Sequence, residues 1–327
     1  MNLDQLPYIT AIASAGSLSA AAKQLKVTQQ ALSKYLSELE AETGLELFFR
    51  SRRRYLPTPA GLVYIQTAQQ ILELRRHTRS ALAALNDAAP RCLRLGVSPN
   101  RGVALLSELY PLFERRFPQV ELVLTEGYAN ELGRGMLHDE LDAAITTHSG
   151  TVPAGFQAIS FRADELILAV PAFHPLAGPP AARLEDLPFA DLHDFQNDIF
   201  IRPLPSTNQY QLVQELFRIS DFQPQMTAVL PNIHLQLSMI RSGARVGLVP
   251  SHYLSAGQGI AFFRIHNAPR MILAYLTRTG HALSGAERFL IWLITDYYLQ
   301  AGSDILWSEP LRTICREFGT TEIGGMA

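Results

Sequence analysis

Cysteine is nearly absent from this chain of 327 residues: Cys92 and Cys315 stand far apart and form no metal or redox motif. A disulfide framework is thereby excluded, and both thiols are expected to be free, as in a reducing compartment. Long apolar runs are missing as well. None approaches the ~18 residues that span a bilayer, so no membrane partner is expected. The opening MNLDQLPYIT lacks a basic stretch followed by an apolar one. No secretory leader is therefore expected, and the expected location is the cytoplasm. Charge is sparse, 18% against 47% hydrophobic, the balance of packed cores and not of disorder. Catalytic signatures are wanting too. There is no G-x-S-x-G, H-E-x-x-H or P-loop, and Gly133-Arg134-Gly135 lacks both a third glycine and a strand directly before it. The nine histidines show no ligand spacing. An enzyme, a metal site and a cofactor are not expected.

The length exceeds what one ordinary core fills and implies two or three domains. A net charge of −2 conceals an uneven distribution. Residues 1–90 carry ten Lys/Arg against seven Asp/Glu, and the remainder is acidic on balance. Four of the ten basic residues fall within Arg50–Arg54. A basic knot on a small N-terminal domain suits phosphate contact, while the acidic remainder avoids it.

Leu3, Leu6, Ile9 and Ile12 recur every three residues, the apolar stripe of a first helix, which Gly16 ends. Ser17 is a good N-cap for a short alanine-rich helix, Leu18 to Leu25, and Thr28 for a third helix running to about Gly44. On that third helix Leu32, Leu36 and Leu39 share one face; Gln29, Gln30, Ser33, Lys34 and Ser37 share another. Two short helices, a tight turn and a helix with such a polar face read as a helix-turn-helix, the third helix being the one to enter a major groove. Gln pairs with adenine, Lys with guanine, Ser with base edges or phosphate. Leu45, Leu47, Phe48 and Phe49, then Tyr55-Leu56, read as two strands around a basic tip. In such a wing Arg50, Arg52, Arg53 and Arg54 fit the narrow minor groove or its phosphates. Ser17, Thr28 and Thr58, at helix starts, complete the expected DNA-facing set. Taken singly, a polar helix face is a solvated face and a basic cluster a surface patch. Their order within some sixty residues favours double-stranded DNA.

The run Ala20-Ala21-Ala22-Lys23-Gln24-Leu25-Lys26-Val27-Thr28-Gln29-Gln30-Ala31-Leu32-Ser33-Lys34 resembles the LysR-type transcriptional regulators. So do Gly16-Ser17-Leu18, Leu39-Glu40, Gly44-Leu45-Glu46-Leu47-Phe48 and Thr58-Pro59-Ala60-Gly61. Gln30 replaces the family's usual proline, and one extra residue sits between Leu56 and Thr58.

Thr58 and Pro59 open a long helix to about Asn86. Its spacing of three and four picks out Tyr64, Thr67, Ile71, Leu74, Thr78, Ala81 and Leu85, a seam for pairing two helices or for packing on the chain's own core. Pairing is favoured, and the resemblance implies a dimer through this helix and a tetramer through the effector domains.

From Arg91 short apolar runs alternate with helical ones: strands Cys92–Val97, Val120–Thr125 and Leu141–Ile145, helices Gly102–Phe117 and Asn130–His138. That is βαβαβ, hence a parallel sheet. A second unit runs from Leu166–Val170 through Ile260–Ile265, and the chain returns by Met271–Leu276 to a helix over Ala286–Gln300. Crossings near 162–165 and 265–269 make a two-lobed clamp with ligands between the lobes, at the carboxyl ends of strands. Leu95-Gly96-Val97-Ser98, Phe117-Pro118-Gln119-Val120-Glu121-Leu122, Leu141-Asp142-Ala143-Ala144-Ile145, His174-Pro175-Leu176-Ala177 and Gly247-Leu248-Val249-Pro250 resemble the family's effector-binding domain.

The expected fold class is thus α/β: an N-terminal winged helix-turn-helix (1–60), a linker and dimerisation helix (61–88) and a periplasmic-binding-protein-like effector domain. Lobe I comprises 91–163 plus 266–300, lobe II 164–265, and 301–327 an extra tail. Candidate effector residues at strand ends and helix starts are Ser98, Asn100, Arg101, Tyr128, Thr147, Arg202, Ser206 and Thr207. Ser98, Ser206 and Thr207 are equally ordinary caps. Arg101 and Arg202 favour a carboxylate effector. The expected function is a sequence-specific transcription regulator controlled by a small molecule. The alternative is a solute-binding protein without a DNA role.

Overall fold

The computed structural model describes residues 3–319 apart from Lys26, Arg52, Arg53, 86–91, Asn100, Pro231, Ala244 and 256–258. It divides into two units, Met1–Asn86 and Asp87–Ala327.

In the first unit a 3-10 turn, Leu3–Gln5, precedes α1 (Leu6–Ala15), with Pro7 in its first turn. The expected stripe holds from Leu6 onward: Leu6, Ile9 and Ile12 are fully buried, whereas Leu3 lies half-exposed on the preceding turn. Gly16 ends α1 in the left-handed conformation at φ 64°. α2 (Leu18–Leu25) and α3 (Gln29–Thr43) follow, with Thr28 Oγ1 accepting from Ala31 N at 3.1 Å. β1 (Phe48–Ser51) and β2 (Arg54–Pro57) pair antiparallel as the wing, and α4 (Pro59–Leu85) leaves it. Tyr55 N donates to Gly16 O at 2.9 Å, which ties the wing to the turn between α1 and α2. Leu32, Leu36, Leu39, Leu47, Phe48, Ile65 and Ala68 close one core, each burial contributing roughly 1–3 kcal/mol.

The second unit opens with β3 (Cys92–Val97), α5 (Arg101–Arg116), β4 (Glu121–Glu126), α6 (Ala129–Leu137) and β5 (Ala143–His148). These strands run parallel in the order β4-β3-β5. The sheet is not parallel throughout, however. β6 (Phe156–Pro171) is one sixteen-residue strand, and β12 (Arg270–Arg278) lies antiparallel between β5 and β6. The strand expected at Leu166–Val170 is therefore the second half of β6. Its first half, with Gln157, Ser160 and Arg162 interrupting the apolar residues, carries too weak a pattern to be read as a strand.

Between them lie β7 (Phe189–Ala190), β8 (Ile199–Pro203), α7 (Asn208–Ile219), β9 (Gln225–Leu230), α8 (Ile233–Arg241), β10 (Gly247–Pro250) and β11 (Ile260–Ile265). β10 and β11 both pair with the far half of β6, and β8 pairs parallel with β9. β6 thus joins two lobes, its near half in the first sheet and its far half in the second.

α9 (Gly285–Gln300) covers the first lobe, and α10 (Glu309–Glu317) packs on α9. The segment expected as a tail is part of that lobe as far as Gly319. Leu311, Ile314 and Cys315 are buried in its core, Phe318 meets the rings of Phe289 and Trp292, and Arg288 pairs with Glu317 at 2.8 Å. Residues 320–327 lie outside the described residues. Ser308 caps α10, and the spacing Leu311, Ile314, Cys315 carries the helical signal.

A buried carboxylate anchors α9. Glu287, 3% exposed, accepts from Tyr275 Oη (3.1 Å), His281 Nε2 (2.8 Å), Ser284 N (2.9 Å) and Ser284 Oγ (2.8 Å). Burial works against the His281 charge, but the hydrogen bond to Glu287 and its negative charge outweigh it, and the histidine pKa is raised. A raised folded-state value means that this pair stabilises the lobe fully below the ordinary histidine value of 6.5 and that the gain is lost as pH rises through the folded value. The urea midpoint should therefore contain a component that falls as pH rises above about 6.5 and that His281→Gln removes. Parallel midpoint-versus-pH profiles for the two proteins would show that the pair carries no linkage.

Candidate functional site

The exposed face of α3 is continuous. Gln29, Gln30, Ser33, Lys34 and Ser37 are all exposed, and Thr28 sits at its start. Lys34 leans on Glu38 at 3.7 Å along the same helix. Ser17 is half-buried and accepts from Ala20 N at 3.2 Å, so it serves as a helix cap. Thr58 does not reach this surface. It is 6% exposed, donates to Glu46 O at 2.7 Å and accepts from Gly61 N at 3.0 Å. Its reading as a DNA contact is corrected to that of a buried cap joining the wing to α4.

The wing is organised by a residue that the sequence reading passed over. Glu40, on the last turn of α3, accepts from Leu47 N (2.9 Å), Phe48 N (3.3 Å) and Arg50 Nη2 (2.6 Å). Arg50 therefore remains exposed but turns back to its own chain. Arg54 is exposed at the other end of the hairpin. Arg52 and Arg53, at the expected tip, lie outside the described residues.

The seam on α4 divides. Tyr64 and Ile71 are half-buried against the unit's own core, beside Ile65 and Ala68, because α1 packs along that side of the helix. Thr67 and Thr78 are exposed, as is Leu74 at 67%, with Leu62 and Val63 also exposed. The side chains of Ala81 and Leu85 lie outside the described residues.

In the second unit a cavity of about 110 Å³ lies between the lobes. Ser98, Tyr128, Thr147 and Thr207, four of the expected effector residues, line it. Arg202 does not: it is exposed on β8, and Ser206 also lies outside the lining. Asn100 and the Arg101 side chain lie outside the described residues. The carboxylate reading built on Arg202 is thus without that residue.

The walls come from strand and helix ends. Ser98 and Pro99 follow β3; Thr146 and Thr147 lie near the end of β5; Pro250, His252 and Tyr253 follow the chain out of β10. Tyr128, Thr207 and Asn232 are the N-cap positions of α6, α7 and α8, and all three line the cavity. Burial, with help from Glu131 and Glu126, pushes the Tyr128 phenol pKa up, so it stays protonated. Thr207 Oγ1 donates to Leu204 O at 2.7 Å and accepts from Tyr210 N at 3.2 Å. Asn208 Nδ2 donates across the cleft to the carbonyl of Thr147 and to Thr147 Oγ1 at 3.1 Å, a hydrogen bond from one lobe to the other. Gln209 Nε2 donates to Gln236 Oε1 (3.0 Å) and Leu248 O (2.8 Å), fixing the floor.

Behind His252 the strand β6 places a fully buried Asp164, with Oδ2 3.3 Å from His252 Nδ1 and Oδ1 2.8 Å from Arg162 Nη2. Asn208, Gln209, Asn232, Gln236 and His252 were missed from sequence. His252 was within reach of the strand-end rule, since it stands two residues past β10. The amides carry no such mark, because a helix start seldom announces which of its residues faces a cavity.

Residues 3–62 match the family described as bacterial regulatory helix-turn-helix protein, lysR family, and residues 88–297 match the LysR substrate binding domain. A probable RuBisCO transcriptional regulator of Emiliania huxleyi is 33% identical over 189 residues, 57% of this chain and 60% of that protein. The chain thus spans less than two thirds of that relative. The hca operon transcriptional activator HcaR of Escherichia coli K12 is 26% identical over 292 residues, 89% of this chain and 96% of the activator. A full-length OxyR variant from Pseudomonas aeruginosa shares the fold with a TM-score of 0.56 at 22% identity, covering 90% of this chain and 94% of the other.

Proposed function

The chain belongs to the LysR family of bacterial regulatory helix-turn-helix proteins, and from that premise we propose that it is a sequence-specific DNA-binding transcription regulator governed by a small molecule in the cleft between two α/β lobes. The observation that carries the reading is the pairing, in one chain, of an exposed polar face on α3 with a cleft lined from both lobes. A solute-binding protein would need the second and not the first. A catalyst is not proposed. Among the described residues no cluster of His, Cys, Asp and Glu fits a metal, and no helix is long and apolar enough to cross a membrane. We place the protein in the cytoplasm.

In this reading Gln29, Gln30, Ser33, Lys34 and Ser37 meet base edges, while Arg54, with Arg52 and Arg53 in sequence beside it, meets phosphates. Residues 1–60 form the DNA-binding domain and 61–88 the linker helix, through which two copies pair by exposed residues such as Leu74 and Leu62. A tetramer through the effector domains follows the same analogy. Lobe I spans 91–163 and 266–319, lobe II 164–265. A ligand that favours the closed lobes shifts their population, and only that differential affinity is needed for a response.

The test uses a duplex selected from a random-sequence pool by the full-length chain. Gln29→Ala is expected to weaken the selected site by about 1–3 kcal/mol and to relax base preference at one position. Arg54→Ala should weaken all sequences alike and make the salt dependence shallower by about one charge. Unchanged affinity and preference in Gln29→Ala would remove α3 from the recognition role.

A further inference from the structure

We propose that the cleft takes a small uncharged ligand, a carboxamide on an apolar body, and rejects the matching carboxylate. The inference rests on the cleft being the effector site.

Among its described lining residues there is no Lys, Arg, Asp or Glu. Behind the wall the charges are already matched: buried Asp164 has Arg162 at 2.8 Å and His252 Nδ1 at 3.3 Å. The helices that begin at the cavity supply no anion site either, because each N-terminus is capped from within the chain. Glu131 sets its own carboxylate at the start of α6 and accepts from Tyr128 N at 2.9 Å. Thr207 Oγ1 accepts from Tyr210 N at 3.2 Å on α7, and Asn232 Oδ1 from Leu235 N at 2.9 Å on α8. A carboxylate moved from water to such a wall loses hydration and meets no counter-charge, a penalty that neutral hydrogen bonds do not offset. An uncharged polar group loses far less and needs only one partner for each donor and acceptor.

The wall holds those partners in a set that a carboxamide complements. Asn208 lies against the carbonyl oxygen of Thr147, which can only accept, so its Nδ2 is engaged there and its Oδ1 remains an acceptor. Asn232 is engaged the other way. Its Oδ1 is held by the Leu235 N–H, which can only donate, so its Nδ2 remains a donor. Neither Asn208 Oδ1 nor Asn232 Nδ2 has a hydrogen-bond partner among the described residues. Both residues stand at helix starts of lobe II and line the cavity, giving one acceptor for a ligand N–H and one donor for a ligand C=O. From lobe I, Ser98 and Thr146 add hydroxyls that donate or accept, and neither side chain is hydrogen-bonded to a described residue. Leu204, Leu230, Ile233 and Met271 make an apolar wall for the body that carries the amide. A carboxylate has acceptors only, and in the amide's place it would set an oxygen against Asn208 Oδ1.

The full-length chain is titrated calorimetrically at about pH 8, above the ordinary histidine range, with acetamide, propionamide and benzamide and with the matching acids. At least one amide should bind, and its acid should bind about tenfold more weakly or worse. Asn232→Asp keeps a capping oxygen at the start of α8 but turns the available donor into an acceptor. It should weaken that amide by about tenfold or more and leave the tryptophan urea midpoint in place. An acid that binds as tightly as its amide, an amide whose affinity Asn232→Asp does not move, or binding of none of these probes would overturn the proposal. Should the variant fail to fold, the amide-to-acid ratio of the native chain decides alone. DNA retention, measured on the same preparations, separates the two readings: silent amides with DNA still bound defeat only this inference, while loss of DNA binding by the native chain defeats the regulator itself.

Discussion

Replacing Gly61 with alanine is expected to unfold the N-terminal unit at a denaturant concentration where the rest of the chain remains folded. Gly61 lies on the first turn of α4, where a Cβ would stand 1.9 Å from the carbonyl oxygen of Leu47 and 2.9 Å from its carbonyl carbon. Those atoms are backbone, so no side chain can swing aside. The same oxygen accepts from Thr58 N at 3.0 Å, and Thr58 Oγ1 accepts from Gly61 N at 3.0 Å. Relief therefore requires α4 and the wing to separate, which breaks this pair of hydrogen bonds and opens the core around Leu47 and Phe48. The cost is expected to be about 3 kcal/mol or more, the upper range for overpacking. That is a large share of the roughly 5–15 kcal/mol that a domain possesses. Gly44→Ala is the comparison. At φ 68° with nothing within 4 Å it incurs conformational strain alone, about 1 kcal/mol. Both tryptophans, Trp292 and Trp307, lie in the second unit, so their fluorescence follows that unit while far-UV circular dichroism reports on both. Gly61→Ala should move the dichroism transition and leave the fluorescence transition in place. Native-like dichroism at the native midpoint would mean that the close approach of α4 to Leu47 does not constrain the domain.

Asp164→Ala should lower the stability of the second unit by about 3–5 kcal/mol, through the charge it strands. Arg162 keeps only 21% of its side chain exposed, with Asp164 at 2.8 Å, Ser303 Oγ at 2.9 Å and the ring of Tyr298 at 5.4 Å from the guanidinium carbon. Without the carboxylate a nearly buried guanidinium has one hydroxyl and an aromatic face for partners. Asp164 sits on β6 opposite Met271, where the strand leaves one lobe for the other, so the loss falls on the joint between them. The measurement is the tryptophan urea midpoint. The paired change Arg162→Met with Asp164→Ala, which removes both charges, should recover more than half of the loss. If the double variant is no more stable than Asp164→Ala, the stranded charge is not the cause.

Local chemistry was enough for much of this protein. Helix starts and stops at Gly16, Ser17, Thr28, Gly44 and Pro59 follow from the backbone freedom of glycine and the capping oxygens of serine and threonine, which act over a few residues. The polar face of α3 follows from periodicity alone, and Ser98, Tyr128, Thr147 and Thr207 line the cavity as strand-end and helix-start positions of an open α/β sheet do. The tertiary structure decided what depends on partners distant in sequence. Thr58, a plausible phosphate contact by type, is buried because the carbonyl of Glu46 and the start of α4 meet over it. Tyr64 and Ile71 turn to their own core because α1 packs there, while Leu74, further along the same stripe, is left exposed. Arg202 and Asn208 lie six residues apart, yet only the asparagine reaches across to Thr147, since an extended strand sends alternate side chains to opposite faces and the helix that follows turns its first residue inward. His252 became notable only beside Asp164, a residue 88 positions earlier that β6 carries beneath it. Periodicity and capping are short-range and legible in one dimension; which buried charge faces which cavity is set by chain crossings that no local pattern encodes.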